Sequence, residues 1–119
     1  MAMVAQILIA LIALLHAYFF LLETVLFKTR GRRVFGVSKE HAEILAPAMS
    51  NQGCYNGFLV AALLIGLLHP NREVALYFVV YGLTCVAVAG IWGAITVKRQ
   101  ILFIQTVPAV VALVLYHFP

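Results

Sequence analysis

Apolar positions fall in four long runs, at residues 3–27, 48–68, 74–97 and 101–118, with short polar stretches between them. Each run reaches or approaches the roughly 20 residues that carry a helix across about 30 Å of hydrocarbon. The pattern predicts an all-α membrane protein, a four-transmembrane-helix bundle that takes residues 1–119 as one domain. The first run is not expected to be a signal peptide. It lacks a basic leading segment, and it exceeds the roughly 7–15 apolar residues of such a segment.

The stretch at 28–47 reads as the one real loop, with its turn near Gly31 and Gly36. Ser38 is the expected N-cap of a short interfacial helix over 39–46, and Glu40 answers the helix dipole in its first turn. Pro47 then sets or bends the passage into the second span. His69-Pro70-Asn71-Arg72 makes the next turn. Lys98-Arg99-Gln100 joins the third and fourth spans as an antiparallel hairpin. Pro108 removes an amide donor inside the fourth run and frees the carbonyl of Ile104, which predicts a kink.

Composition sharpens this picture. Of 119 residues, 65% are hydrophobic and 10% charged, against about half and a quarter in a soluble domain. No room is left for a soluble partner domain. The net charge of +4 is not read as a nucleic-acid signal, because its distribution reports orientation. The first loop holds Lys28, Arg30, Arg32, Arg33 and Lys39, the second holds Arg72, and the third Lys98 and Arg99. Seven charges against one place the first and third loops in the cytoplasm, with both termini outside it. The expected location is the cell inner (plasma) membrane, as a multi-pass protein. The basic cluster of the first loop serves at least to orient the chain; attraction to anionic lipid headgroups is a second role for it.

Polar residues inside the runs carry the candidate chemistry. His16 and Glu23 lie seven apart on nearly one face of the first span. A carboxylate at membrane depth is expensive and rare, which makes Glu23 a candidate catalytic residue. Its alternatives are snorkelling to the interface or pairing with Lys28 or Arg99. His16 is the second catalytic candidate, against a role in packing. Asn51, Gln52, Tyr55 and Asn56 share an arc of about 140° on the second span. Gly53, Gly57 and Ala61 form a separate small-residue line that admits a neighbouring backbone. Trp92 and Thr96 lie near the cytoplasmic end of the third span. Gln105 and Thr106 lie about one turn inside the fourth. Asn51, Gln52, Tyr55, Asn56, Trp92, Thr96 and Gln105 are therefore the candidate ligand-binding residues, meeting Glu23 in a polar pocket of the inner leaflet. Cys54 and Cys85 read as small packing residues rather than a disulfide or metal pair. No metal-ligand set is visible, and the sequence names no cofactor.

Four strings carry a resemblance: His16-Ala-Tyr-Phe-Phe-Leu-Leu-Glu23, Asn51-Gln-Gly-Cys-Tyr-Asn-Gly-Phe58, Val88-Ala-Gly-Ile-Trp-Gly-Ala94 and Ile101-Leu-Phe-Ile-Gln-Thr-Val-Pro108. Together they resemble the domain-of-unknown-function 1304 family of small membrane proteins, over essentially the whole chain. The resemblance implies four spans and brings no activity. It also implies an acidic residue just before the first-span histidine, where this chain has Leu15, and Tyr where it has Trp92.

Three functions compete on these residues. The first is a binding protein or enzyme for a small molecule or membrane lipid, similar in architecture to the membrane-associated eicosanoid and glutathione metabolism family. The second is a proton-coupled exporter resembling small multidrug transporters. Its dual topology sits poorly with the seven-to-one charge bias, and its midplane site with Glu23's position near one end. The third is a structural bundle without ligand. Four spans enclose little volume, so a homo-oligomer, dimer or trimer, is expected.

Overall fold

The computed structural model describes residues 3–118, and these are helical almost throughout, with no strand among them. Helix α1 covers Met3–Glu23. A wide π turn follows at Phe27–Gly31 and leads into the short α2, Arg32–Val34. Helix α3 is Lys39–Leu68 and α4 is Arg72–Thr96. A second π turn, Leu102–Thr106, runs directly into α5, Val107–His117. Helices α1, α3 and α4 are long and apolar enough to cross a membrane, while the stretch Leu102–His117 is apolar but shorter.

Two of these boundaries correct the sequence expectations. The stretch at 28–47 is not a loop. Within it only residues 35–38 lie outside helices. Gly31, taken above as a breaker, sits inside a wide turn whose amides bond five residues back: Gly31 N–H donates to Leu26 O at 2.8 Å, and Arg32 N–H to Phe27 O. A Cβ at Gly31 would collide with the carbonyl oxygen of Leu22, so a residue without a side chain is required for close approach rather than for a bend. The true break comes at Gly36, with φ of +71°. Gly36 N–H donates to Arg33 O and Val37 N–H to Arg32 O, the paired bonds of a Schellman ending.

The second correction is that the short helix expected over 39–46 is not separate from the second span: the two form one helix, α3, starting at Lys39. Ser38 Oγ accepts from His41 N–H at 3.2 Å, as an N-cap does. From there the helix runs through Pro47 without a break. Proline at 47 withholds a donor from the carbonyl of Glu43. Both residues are exposed, so solvent or headgroups can satisfy that carbonyl. Cys54 is exposed rather than packed, and Cys85 is half-buried.

The chain divides into two compact units. One joins the residues up to Ala13 to those from Leu59 onward; the other is Leu14–Phe58. In the first, Ile9, Leu63, Val79, Leu83 and Val86 are fully buried and pack with Ala109 and Ala112 of α5. Asn71 caps α4, its side chain accepting from the amides of Glu73 and Val74. Where α4 meets the second π turn, Thr106 Oγ1 donates to Ala87 O at 2.8 Å. A Cβ on Gly90 would lie 2.7 Å from Thr106 N and 2.9 Å from Gln105 Cβ. This π turn precedes Pro108, where the sequence predicts a kink. Val107 N–H reaches back five residues to Leu102 O just before the proline, which widens the backbone where the pyrrolidine ring would press on the preceding turn.

In the second unit, Gly53 and Gly57 of the expected small-residue line receive α1, whereas Ala61, the third member of that line, is exposed. A Cβ on Gly53 would lie 2.6 Å from Thr24 Cγ2 and 3.0 Å from Glu23 Cβ, and one on Gly57 3.3 Å from the Phe20 ring.

Candidate functional site

The close approach at Gly53 brings a polar pair within reach. Asn56 lies three residues beyond Gly53 on α3, so it stands on the neighbouring part of the same helix face. Its Nδ2 donates to Glu23 Oε1 at 2.5 Å. Glu23 is the last residue of α1 and is buried; Asn56 is half-buried. Thr24 turns its hydroxyl back to Phe20 O at 2.7 Å, which satisfies that group within its own turn. The hydrogen bond to Glu23 answers the carboxyl's need for a donor, and an amide donor adds no charge of its own.

Of the cationic partners considered for Glu23, Lys28 goes elsewhere, as does the nearby Arg30. Lys28 pairs with Glu43 at 3.1 Å, and both side chains are more than half exposed. An ion pair so open to solvent contributes at most about 1 kcal/mol. Arg30 Nε donates to the hydroxyl of Tyr18 at 2.7 Å, with its guanidinium 5.8 Å from that ring's centre. Glu23 is therefore a buried carboxyl joined to an amide.

His16, two turns earlier on α1, is buried at 1% exposure. Its ring meets Phe19 edge-on, with centroids 5.5 Å apart. His16 and Glu23 thus share the inward face of α1. The other amides of the second-span arc lie outward. Asn51 Nδ2 donates to Tyr55 OH at 3.3 Å, and Asn51, Gln52 and Tyr55 are all exposed. The arc straddles a boundary, and Asn56 is its only half-buried member.

The remaining candidates belong to the first unit. Trp92 is 69% exposed, and Thr96 donates its hydroxyl to Trp92 O at 2.7 Å, the local bond of an exposed helical threonine. Gln105 is half-buried beside the Gly90 approach. Thr106, noted from sequence only as a polar neighbour, proves the more deeply placed of that pair. Its signal was there: a small residue on α4 opposite a hydroxyl ahead of a proline. A cleft of about 430 Å³ in this unit is lined by residues that sequence reading treated as a plain turn, His69, Pro70 and Arg72, with Gln6, Leu76 and Tyr116. None of the nine candidates lines it.

The comparisons agree with the resemblance carried by the four strings. The chain belongs to the family described as "Protein of unknown function (DUF1304)", whose model matches residues 10–117. No curated protein and no solved structure matches the chain.

Proposed function

We propose that this member of the family is a four-span protein of the plasma membrane. Its functional centre would be the Glu23–Asn56 pair, a polar intramembrane site on the inner-leaflet side that binds or transforms a small molecule or lipid. The observation that carries this is the buried carboxyl held by an amide from another helix. Such a group has an exchangeable proton, an acceptor oxygen and a fixed position, in a segment where polar groups are costly. Asn51, Gln52 and Tyr55, exposed along α3, would extend that polar strip toward an arriving ligand, and His16 would lie at its inner end. In this reading Leu102–His117 is the fourth span. Its 16 residues cover roughly 24 Å as a helix. The charge bias puts residues 28–47 and 98–100 on the cytoplasmic side and both termini outside. A homo-oligomer would cover part of the exposed apolar surface.

The test is Glu23→Gln. The amide oxygen of glutamine still accepts from Asn56, so packing is retained while the ionisable group is lost. Native mass spectrometry of the protein drawn from its own membrane would look for a retained small molecule or lipid. The expected result is a bound mass on the wild type that disappears in Glu23→Gln at unchanged melting temperature. A variant that keeps every bound species would overturn the proposal.

A second reading rests on the tight approach at Gly53, which makes the same pair a clamp that only holds α1 against α3. Glu23→Gln keeps the bond to Asn56, so under this reading the variant assembles normally and the wild type retains no bound mass; Asn56→Leu, which removes the bond itself, would then prevent assembly.

A further inference from the structure

The first polar stretch contains an arginine whose chemistry is incomplete. Arg32, at the start of α2, is half-buried, and its Nε is enclosed without any hydrogen-bond partner. A guanidinium N–H removed from water and left unpaired is costly, and charged donors are the most costly of all. Its neighbours are already committed: Lys28 to Glu43 and Arg30 to Tyr18. Arg33, the following residue, and Lys39, at the start of α3, stand exposed, while the acidic residues of this stretch, Glu40 and Glu43, are outnumbered five to two by Lys and Arg. Next in the chain, Val34 and Phe35 expose apolar side chains, as do Ile44 and Leu45 on α3. Cations interleaved with exposed apolar side chains, at the end of a membrane-length helix, are the chemistry of a headgroup layer.

We propose that Arg32 is the centre of an anionic-phospholipid site: its Nε and terminal N–H groups take a lipid phosphate, Arg33 and Lys39 supply the surrounding positive field, and Val34 and Phe35 enter the acyl boundary. Guanidinium and phosphate pair through parallel N–H···O bonds, which satisfies the enclosed donor in the same step. The site rests on the membrane placement proposed above, but not on any role of Glu23.

The experiment uses the full chain in nanodiscs of phosphatidylcholine with added phosphatidylglycerol, with lipid retention read by native mass spectrometry. Arg33→Gln, which removes field alone, is expected to weaken phosphatidylglycerol retention about fivefold. Arg32→Gln also removes the bonded donor and is expected to weaken it about fiftyfold. Arg32→Lys keeps the charge without the planar fork. It should fall between them, and it serves where Arg32→Gln fails to fold. Equal losses at positions 32 and 33, or no loss at either, would overturn the site. So would inorganic phosphate displacing the lipid at millimolar concentration, because the occupant would then be a soluble anion. Recovery of the chain in the soluble cell fraction would instead sink the membrane placement itself.

Discussion

Asn56 Nδ2 meets Glu23 Oε1 at 2.5 Å across a sequence separation of 33 residues, joining the end of α1 to the middle of α3. Removing only the donor leaves a buried carboxyl unanswered, whereas removing both groups leaves an apolar contact. Asn56→Leu should therefore destabilise the protein by about 1–3 kcal/mol. The double variant Glu23→Leu with Asn56→Leu should recover part of that loss. Thermal unfolding of the four members of the cycle in detergent measures the coupling. A single Asn56→Leu variant as stable as the wild type would mean the bond carries no weight in the fold.

Gly90→Ala tests the joint between α4 and the second π turn. The new methyl group would face backbone nitrogen at 2.7 Å, and backbone cannot swing aside as a side-chain tip can. Overpacking of this kind costs typically about 1–3 kcal/mol. Gly57→Ala, whose nearest neighbour is the edge of the Phe20 ring at 3.3 Å, should cost clearly less. Comparing the two melting temperatures checks the prediction, which fails if they fall equally.

Asn71→Ala removes the acceptor that serves the amides of Glu73 and Val74. A lost N-cap costs about 0.5–2 kcal/mol. Asn71→Asp keeps the acceptor and should remain near wild-type stability. Hydrogen exchange at the first turn of α4 would locate the effect, with faster exchange at residues 73 and 74 in the alanine variant alone.

The proposed orientation is open to labelling. In a background with Cys54→Ala and Cys85→Ala, His69→Cys should react with an impermeant maleimide on intact cells. Gln100→Cys should react only after permeabilisation, because the positive-inside bias places the third polar stretch in the cytoplasm. The reverse pattern would invert the topology, and labelling of both on intact cells would remove it.

The apolar runs were enough to locate the long helices, because bilayer-length hydrophobicity is a strong signal. The start of α4 at Arg72 lies two residues before its apolar run, and its end at Thr96 one residue before that run's end. The stretch around Gly31 was misread for a physical reason. Glycine beside four cations looks like a solvated turn, yet here the glycine is the point where two backbones touch. Pro47, expected to set or bend the passage into the second span, lies inside a continuous helix, since a missing donor breaks a helix only where the orphaned carbonyl has no other partner. On the site, sequence spacing put His16 and Glu23 on one face, and both are buried. Spacing alone did not separate Asn56 from Asn51, Gln52 and Tyr55. An arc on a wheel does not say which of its edges meets a neighbour; that depends on which side of Gly53 the partner helix lies.

The π turn at Leu102–Thr106 resets the angular ruler of the last helix. A turn that closes on the fifth residue holds one residue more than an α turn, so everything after it is rotated by about 100° relative to an uninterrupted helix. Thr106 at the end of the π turn and Ala109 and Ala112 of α5 form one inward stripe, but a wheel drawn continuously from Ile101 would assign that stripe to another side. Relatives that lack the extra residue would have to present a different set of side chains to α4, and a length change in this stretch is the first place to look when two members of the family pack differently.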